Sequence, residues 1–353
     1  MKNSTTKNST KSNLKLIVSF FLFIGLIPTM HSQNYRSIDA YIEDFGKNEL
    51  FVKKTFMDYT ATIVESQLYS RTKTTVTRIV EKLEKINTIL KNTDKGYEGN
   101  TSLRDSFIKM NEKTIQCLNN GTLILTDYDS QSSLSLPEIG ENLNKKESDL
   151  LAYFQALKQY DNDKKYFASC YRMHFKGGKG KNILEYNAKQ NILFYKLNVI
   201  DEKLSTVITA KDKKGFADCM NMIELMNQEV MTKTSEYYGY FKDNSLNAAN
   251  VEYSKFIAGQ NAKLTNLFSE YVDEYNKVQT LKASLQTTLG ESVAAYNDAV
   301  ASCNTKKNLF YAVFNDIQSE KKGLYDNWFA VNSAFLKNNG EFANIYDKYA
   351  FND

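Results

Sequence analysis

The first place where this sequence could hold chemistry is a lone histidine ahead of a glycine-rich run. His174 precedes Lys176-Gly177-Gly178-Lys179-Gly180-Lys181-Asn182. Backbone amides in such a run can cradle a phosphate, with Lys179 and Lys181 beside it. The pattern G-x-x-x-x-G-K-[ST] is not satisfied, however, and no strand pattern precedes it. A short connection between two helices accounts for the glycines better. His174 shares a helical face with Tyr153, Leu157, Tyr160, Phe167 and Tyr171. It could contact a ligand or act as a base. As a structural residue it would sit at a helix end, where the carbonyl end of the dipole favours its charged form. It has no visible triad or metal partner.

Asp161 and Asp163 bracket Asn162, and two carboxylates with an amide can hold a hard cation. The calcium pattern D-x-[DN]-x-[DN]-G is missing, which leaves a solvated acidic helix face. The run Glu236-Tyr237-Tyr238-Gly239-Tyr240-Phe241 offers flat apolar area with hydroxyl handles, suited to a sugar or a peptide. Tyrosines recur along the whole chain, 23 in all with 21 phenylalanines, so core filling explains the run as well. Tyr237, Tyr238, Tyr240 and His174 are the candidate ligand-binding residues. No Ser/His/Asp order, C-x-x-C, H-E-x-x-H or pair of catalytic glutamates is visible. The reading is non-enzymatic, with no catalytic residue, no metal site and no cofactor.

These residues must be carried by helices. The chain has 353 residues, 42% of them hydrophobic and 24% charged, with only two prolines, Pro28 and Pro137. So few breakers argue against a many-turned β architecture. Val76, Ile79, Leu83, Ile86 and Leu90 step by 3, 4, 3 and 4. Leu193 to Val207 and Phe216 to Val230 repeat that heptad-like spacing, and Leu103, Phe107, Met110 and Cys117 share one face. One narrow apolar seam per helix is what antiparallel bundles and coiled coils require.

The expected fold is all-α, an elongated antiparallel helical bundle of six or seven long, coiled-coil-like helices. Its longest helix is expected over 250–303, with Gly259 and Gly290 as points of interruption. Loops are expected at 92–100, 127–135 and 211–215. Ser102 with Asp105, and Ser135 with Pro137 and Glu138, mark helix starts. Lys306, Lys307 and Gly323 are weaker interruptions near a last helical stretch over 308–338.

Residues 1–32 hold four lysines and no acid, and 16–30 form an apolar run broken by Pro28. That is the layout of a secretory signal peptide, too short for a bilayer span of ~20 apolar residues. The alternative is a retained signal anchor. Residues 33–353 then form a single elongated helical domain, divisible into sub-bundles 33–135 and 136–353. That part carries 41 basic and 41 acidic side chains. A nucleic-acid partner is not expected from such a balance, nor is an anionic membrane surface. No transmembrane segment is expected after cleavage. The expected location is periplasmic or secreted. Cys117, Cys170, Cys219 and Cys303 all fall on apolar stripes. Buried thiols and a disulfide are both open, and four cysteines allow three pairings.

Tyr153-Phe154, then Lys158-Gln159-Tyr160-Asp161-Asn162-Asp163, then Phe167-Ala168 and His174 resemble the signature of the YiiG-like family. Tyr325-Asp326-Asn327-Trp328-Phe329 resembles that family's Tyr- and Asn-rich ending. The resemblance implies an exported, all-helical bacterial envelope protein. Many members are lipoproteins, but a lipobox cysteine is missing here, and the resemblance implies no active site.

The first functional expectation is an envelope-associated interaction or scaffold protein, with an envelope or cell-surface protein as partner and self-association as a further mode. The second is a periplasmic or extracellular ligand-binding module using the tyrosine-rich surface. The third is an α-helical pore-forming, toxin-like protein with its apolar segment at 118–125, which Asn119, Asn120 and Thr122 interrupt.

Overall fold

The computed structural model describes residues 35–66, 69–121, 125, 127–173, 182–284 and 291–339. The expected signal peptide at 1–32, His174 and the glycine run at 176–181 lie outside them. The described residues form ten helices and no β-strand. They are α1 (Ile38–Ser66), α2 (Tyr69–Thr93), α3 (Ser102–Asn119), α4 (Tyr128–Ser132) and α5 (Leu136–Cys170), followed by α6 (Ile183–Ala210), α7 (Lys213–Glu236), α8 (Ser245–Gly259), α9 (Asn261–Ser284) and α10 (Glu291–Asn339). The chain is an all-α bundle.

The helix starts follow side-chain chemistry. At α5 the Ser135 N–H donates to the Glu138 carboxylate at 2.9 Å, with Pro137 in the first turn, where its missing N–H costs least. The Asn182 side chain caps α6 by accepting the N–H groups of Leu184 and Glu185. Asp212 does the same for Gly215 at α7. At α3 the cap residue is Thr101 rather than Ser102, and its hydroxyl donates to Asp105 at 2.8 Å. The turn before it is pinned by Asp94. Its carboxylate accepts the Gly96 N–H at 2.7 Å and the Tyr41 hydroxyl at 3.1 Å.

The helix expected over 250–303 is interrupted at Gly259, where α8 ends, one of its two expected break points; the other, Gly290, lies outside the described residues. Two other expectations need correction. The longest helix is instead α10, with 49 residues, which runs through Lys306, Lys307 and Gly323. Lys306 is held by Glu270 of α9 at 2.7 Å, lysine is a good helix former, and Gly323 faces open space. The expected linker at 127–135 contains the one-turn helix α4, closed by Ser130 donating to the Asp127 carbonyl at 2.9 Å. At 1.5 Å per residue α10 spans about 73 Å, against a radius of gyration of about 20 Å for a compact chain of this length.

Two apolar clusters fill the bundle. One gathers Tyr41, Phe45, Leu83, Phe107 and Phe167 from α1, α2, α3 and α5. The other gathers Tyr195, Ile200, Phe216, Tyr253, Phe310 and Phe335 from α6 to α10. Helix α5 enters both. Leu150, Tyr153 and Phe154 face the first, and Ile139 and Leu143 face the second.

Helix α6 departs from the single-seam expectation. Every residue from Ile192 to Asp201 is buried, so it is a central helix wrapped on all sides. Its polar residues find partners in the interior. Asn187 donates to Asn332 of α10 at 2.5 Å, Asn332 to Asn191 at 2.8 Å, and Asn191 back to Asn187 at 3.0 Å. Gln190 donates to Asn247 of α8 at 2.9 Å, and Asn247 to the Thr234 carbonyl at 2.7 Å. Buried amides satisfied in this way fix helix register, because a slipped register strands them.

Candidate functional site

The site starts from a lysine in an apolar seam. On α5 the core positions Ile139, Leu143, Lys146, Leu150 and Tyr153 step by 4, 3, 4 and 3, and all five are buried. Lys146 is only 8% exposed. Its ammonium donates to the Gly121 carbonyl at 2.8 Å, just past the end of α3. It lies 3.8 Å from the Asp127 carboxylate and 5.4 Å from the centre of the Tyr195 ring. Burial pushes the Lys146 ammonium below the ordinary lysine range, against the opposing pull of Asp127.

Asp127 is the hub. It accepts the Tyr195 hydroxyl at 2.5 Å and the Gln131 amide at 3.2 Å. Tyr195 belongs to the central helix, so the hub is tied to the most buried element of the fold. Burial, followed by the Asp127 charge, raises the Tyr195 phenol far above its usual value. It stays a donor at neutral pH.

Above these groups opens a cleft of about 520 Å³ between α2, α3, α4 and α5. Val76 and Leu118 supply apolar lining, and Asn119, Asn120, Gln131 and Asn142 supply amides. At its edge Lys145 pairs with Asp149 at 2.6 Å, and Asn120 donates to Asp149 at 3.1 Å. Asn142 donates to Gln131 at 3.2 Å. The cleft therefore holds two lysines and two aspartates, each joined to its opposite. Its size falls within the ~300–1,000 Å³ typical of small-molecule sites.

The residues singled out in the sequence lie elsewhere. Tyr237 and Tyr240 are half-buried and pack on Tyr186, with centroid distances of 6.1 Å and 5.8 Å. Tyr238 is 77% exposed. The three rings do not share one face, since two close the end of the core and one points to solvent. Burial and the nearby Glu236 charge push the Tyr237 phenol up to about 12. Among the described residues no group of three or more His, Cys, Asp or Glu could hold a metal ion.

Cys170 is exposed, contrary to its expected place on an apolar stripe, while Cys117, Cys219 and Cys303 are buried; no disulfide joins any of the four. Of the segment 118–125, Leu118 is buried and 122–124 lie outside the described residues. No helix among the described residues is long and apolar enough to cross a membrane.

Two further buried clusters serve packing. Tyr160 donates to Glu49 of α1, which also pairs with Lys164 at 2.6 Å. Thus the motif around 158–163 locks α5 to α1. On α6, Lys196 bridges Glu147 of α5 at 2.5 Å and Glu229 of α7 at 2.8 Å. The cleft was missed in the sequence, though one signal for it was present: Lys146 interrupts an otherwise apolar heptad seam.

Against family models, curated proteins and solved structures, the chain has no match.

Proposed function

We propose that the chain is an exported, non-enzymatic binding protein whose extended helical bundle holds a small polar ligand in the cleft above Lys146. The observation that carries this is convergence. Gly121, Asp127, Lys146 and Tyr195 come from four parts of the chain and form one buried polar floor under an open, amide-lined cleft. Desolvating a lysine for packing alone is costly, and an apolar residue of that size would do better. Prearranged donors and acceptors are what a binding site needs. Export rests on the charge pattern and apolar run of residues 1–32. The test is a thermal-shift screen of the purified mature chain against neutral, anionic, cationic and zwitterionic metabolites. A concentration-dependent rise in Tm with one class supports the reading, since ligand at 100 times Kd adds about 2.7 kcal/mol. A screen in which no class shifts Tm contradicts it.

A second reading, an envelope scaffold with a protein partner, draws on the length of α10. That 49-residue helix packs on the core along one side and keeps Val293 and Leu309 exposed, lateral apolar surface for a partner or a second copy. In-cell crosslinking in the native host tests it. A reproducible envelope-protein adduct through lysines of α10 supports it, and exclusively intramolecular crosslinks contradict it.

A further inference from the structure

We propose that the ligand of the Lys146 cleft is a neutral, polyhydroxylated molecule of mono- or disaccharide size. This rests on the reading of the cleft as a binding site and adds the chemical class.

The argument begins with charge. Both lysines and both aspartates of the cleft are already in ion pairs, Lys145 with Asp149 at 2.6 Å and Lys146 with Asp127 at 3.8 Å. Asp127 and Asp149 also accept amides, from Gln131 and Asn120. A charged ligand would have to displace one of these partners and leave a half-buried charge uncompensated. A neutral ligand leaves every pair intact.

The remaining lining then selects the neutral class. A side-chain amide is both a donor and an acceptor, and so is a hydroxyl. Asn119, Asn120, Gln131 and Asn142 lie around one cleft; Asn120, Gln131 and Asn142 each spend one N–H on Asp149, Asp127 and Gln131 and keep a second N–H and a lone pair, matching a run of neighbouring hydroxyls. A purely apolar ligand would use none of this remaining capacity and would cover it from water. Val76 and Leu118 give the cleft an apolar strip, which suits the C–H face of a sugar ring. A volume of about 520 Å³ leaves room for one or two such rings.

The test is isothermal titration of the mature chain with D-glucose, N-acetylglucosamine and maltose as neutral probes, and with L-glutamate, L-lysine and glucose 6-phosphate as charged ones. Each is repeated on the Asn119→Ala/Asn142→Ala double variant. Neither residue is in the apolar core, and thermal melts confirm that the variant folds. The expected result is saturable binding of at least one neutral probe, weakened at least tenfold in the double variant, with charged probes silent. Binding of a charged probe alone, lost in the double variant, overturns the ligand class and leaves the cleft standing. Neutral binding that the double variant leaves unchanged overturns the location. Silence from all six probes overturns the class, and only the broader thermal-shift screen then decides the cleft itself.

Discussion

The Tyr195 hydroxyl donates to Asp127 at 2.5 Å, joining the central helix α6 to the turn that opens α4. Through this bond the floor of the cleft inherits the rigidity of the most buried helix. Asp127 then orients Gln131 and faces Lys146. Several expectations follow from the way such buried charges are held.

Two buried lysines should respond by different amounts to the same substitution. Lys146 is held below the usual lysine range because burial outweighs Asp127. Lys196 is held above it, because Glu147 and Glu229 together outweigh its burial. Lys146→Met is expected to change stability by no more than about 1 kcal/mol, whereas Lys196→Met should cost about 3 kcal/mol. Asp127→Ala, which leaves Lys146 and Tyr195 facing an empty position, should also cost about 3 kcal/mol. Urea unfolding of the three variants checks the order.

Alkaline pH should separate the lysine from the tyrosines. A lysine with a lowered folded pKa is protonated more readily in the unfolded chain, so its contribution to stability rises with pH up to about 10.4. That rise should be missing in Lys146→Met. Buried tyrosines act in the other direction. Tyr186 and Tyr237 are both raised to about 12. Their share of stability is intact below the ordinary tyrosine value of about 10 and is lost as pH climbs from there through the raised values. Stability measured from pH 7 to 11.5, with phenolate absorbance followed in parallel, reads both trends.

Glycines at 96 and 323 should differ in sign. Gly96 has φ of +74°, and a Cβ there would meet the Asn100 carbonyl oxygen at 2.1 Å. Gly96→Ala is expected to cost at least about 2 kcal/mol by strain and collision. Gly323 lies inside α10 with no atom near its Cβ position, so Gly323→Ala should stabilise by about 0.5–1 kcal/mol. Paired thermal melts suffice.

Thiol chemistry should count one cysteine in the native protein. Cys170 is exposed, while the other three thiols are buried. Burial also pushes the Cys219 thiol up to about 12, far from its reactive thiolate form. An aromatic disulfide reagent should titrate one thiol quickly in the folded chain and four in denaturant. A fast native count above one would show that the buried set is open to solvent.

The single tryptophan reports on the amide network. Trp328 lies on the Phe194 ring at 3.8 Å and donates its indole N–H to Asn250 at 2.8 Å. Its native fluorescence should be blue-shifted and should move red on unfolding. Trp328→Phe keeps the ring but leaves Asn250 short of a donor, for an expected loss of about 1–3 kcal/mol.

The all-helical fold was legible because apolar spacing is a local property. Leu193, Leu197, Ile200, Leu204 and Val207 are all buried, as their heptad steps imply. Packing on every side of α6 was not legible, because it depends on which other helices surround it. Gln190 and Asn198 look like surface residues until Asn247 and Tyr253 arrive from α8. The end of a helix was equally hard to read. Lys306 and Lys307 look like a break, yet Cys303 and Phe310 on either side of them are buried, so the core face of α10 runs through. At the cleft, Lys146 stood in plain view within a seam, but its partners Gly121, Asp127 and Tyr195 lie 25, 19 and 49 positions away. Sequence spacing alone cannot assemble such a set.

The most direct test is a side-chain amide NMR titration of the isotope-labelled mature chain with N-acetylglucosamine and maltose. The expected result is saturable shifts concentrated on the amide groups of Asn119, Asn120, Gln131 and Asn142, with the interior amides of Asn187 and Asn332 unmoved. Saturable shifts elsewhere, with these four amides still, would contradict the placement of the ligand in the Lys146 cleft.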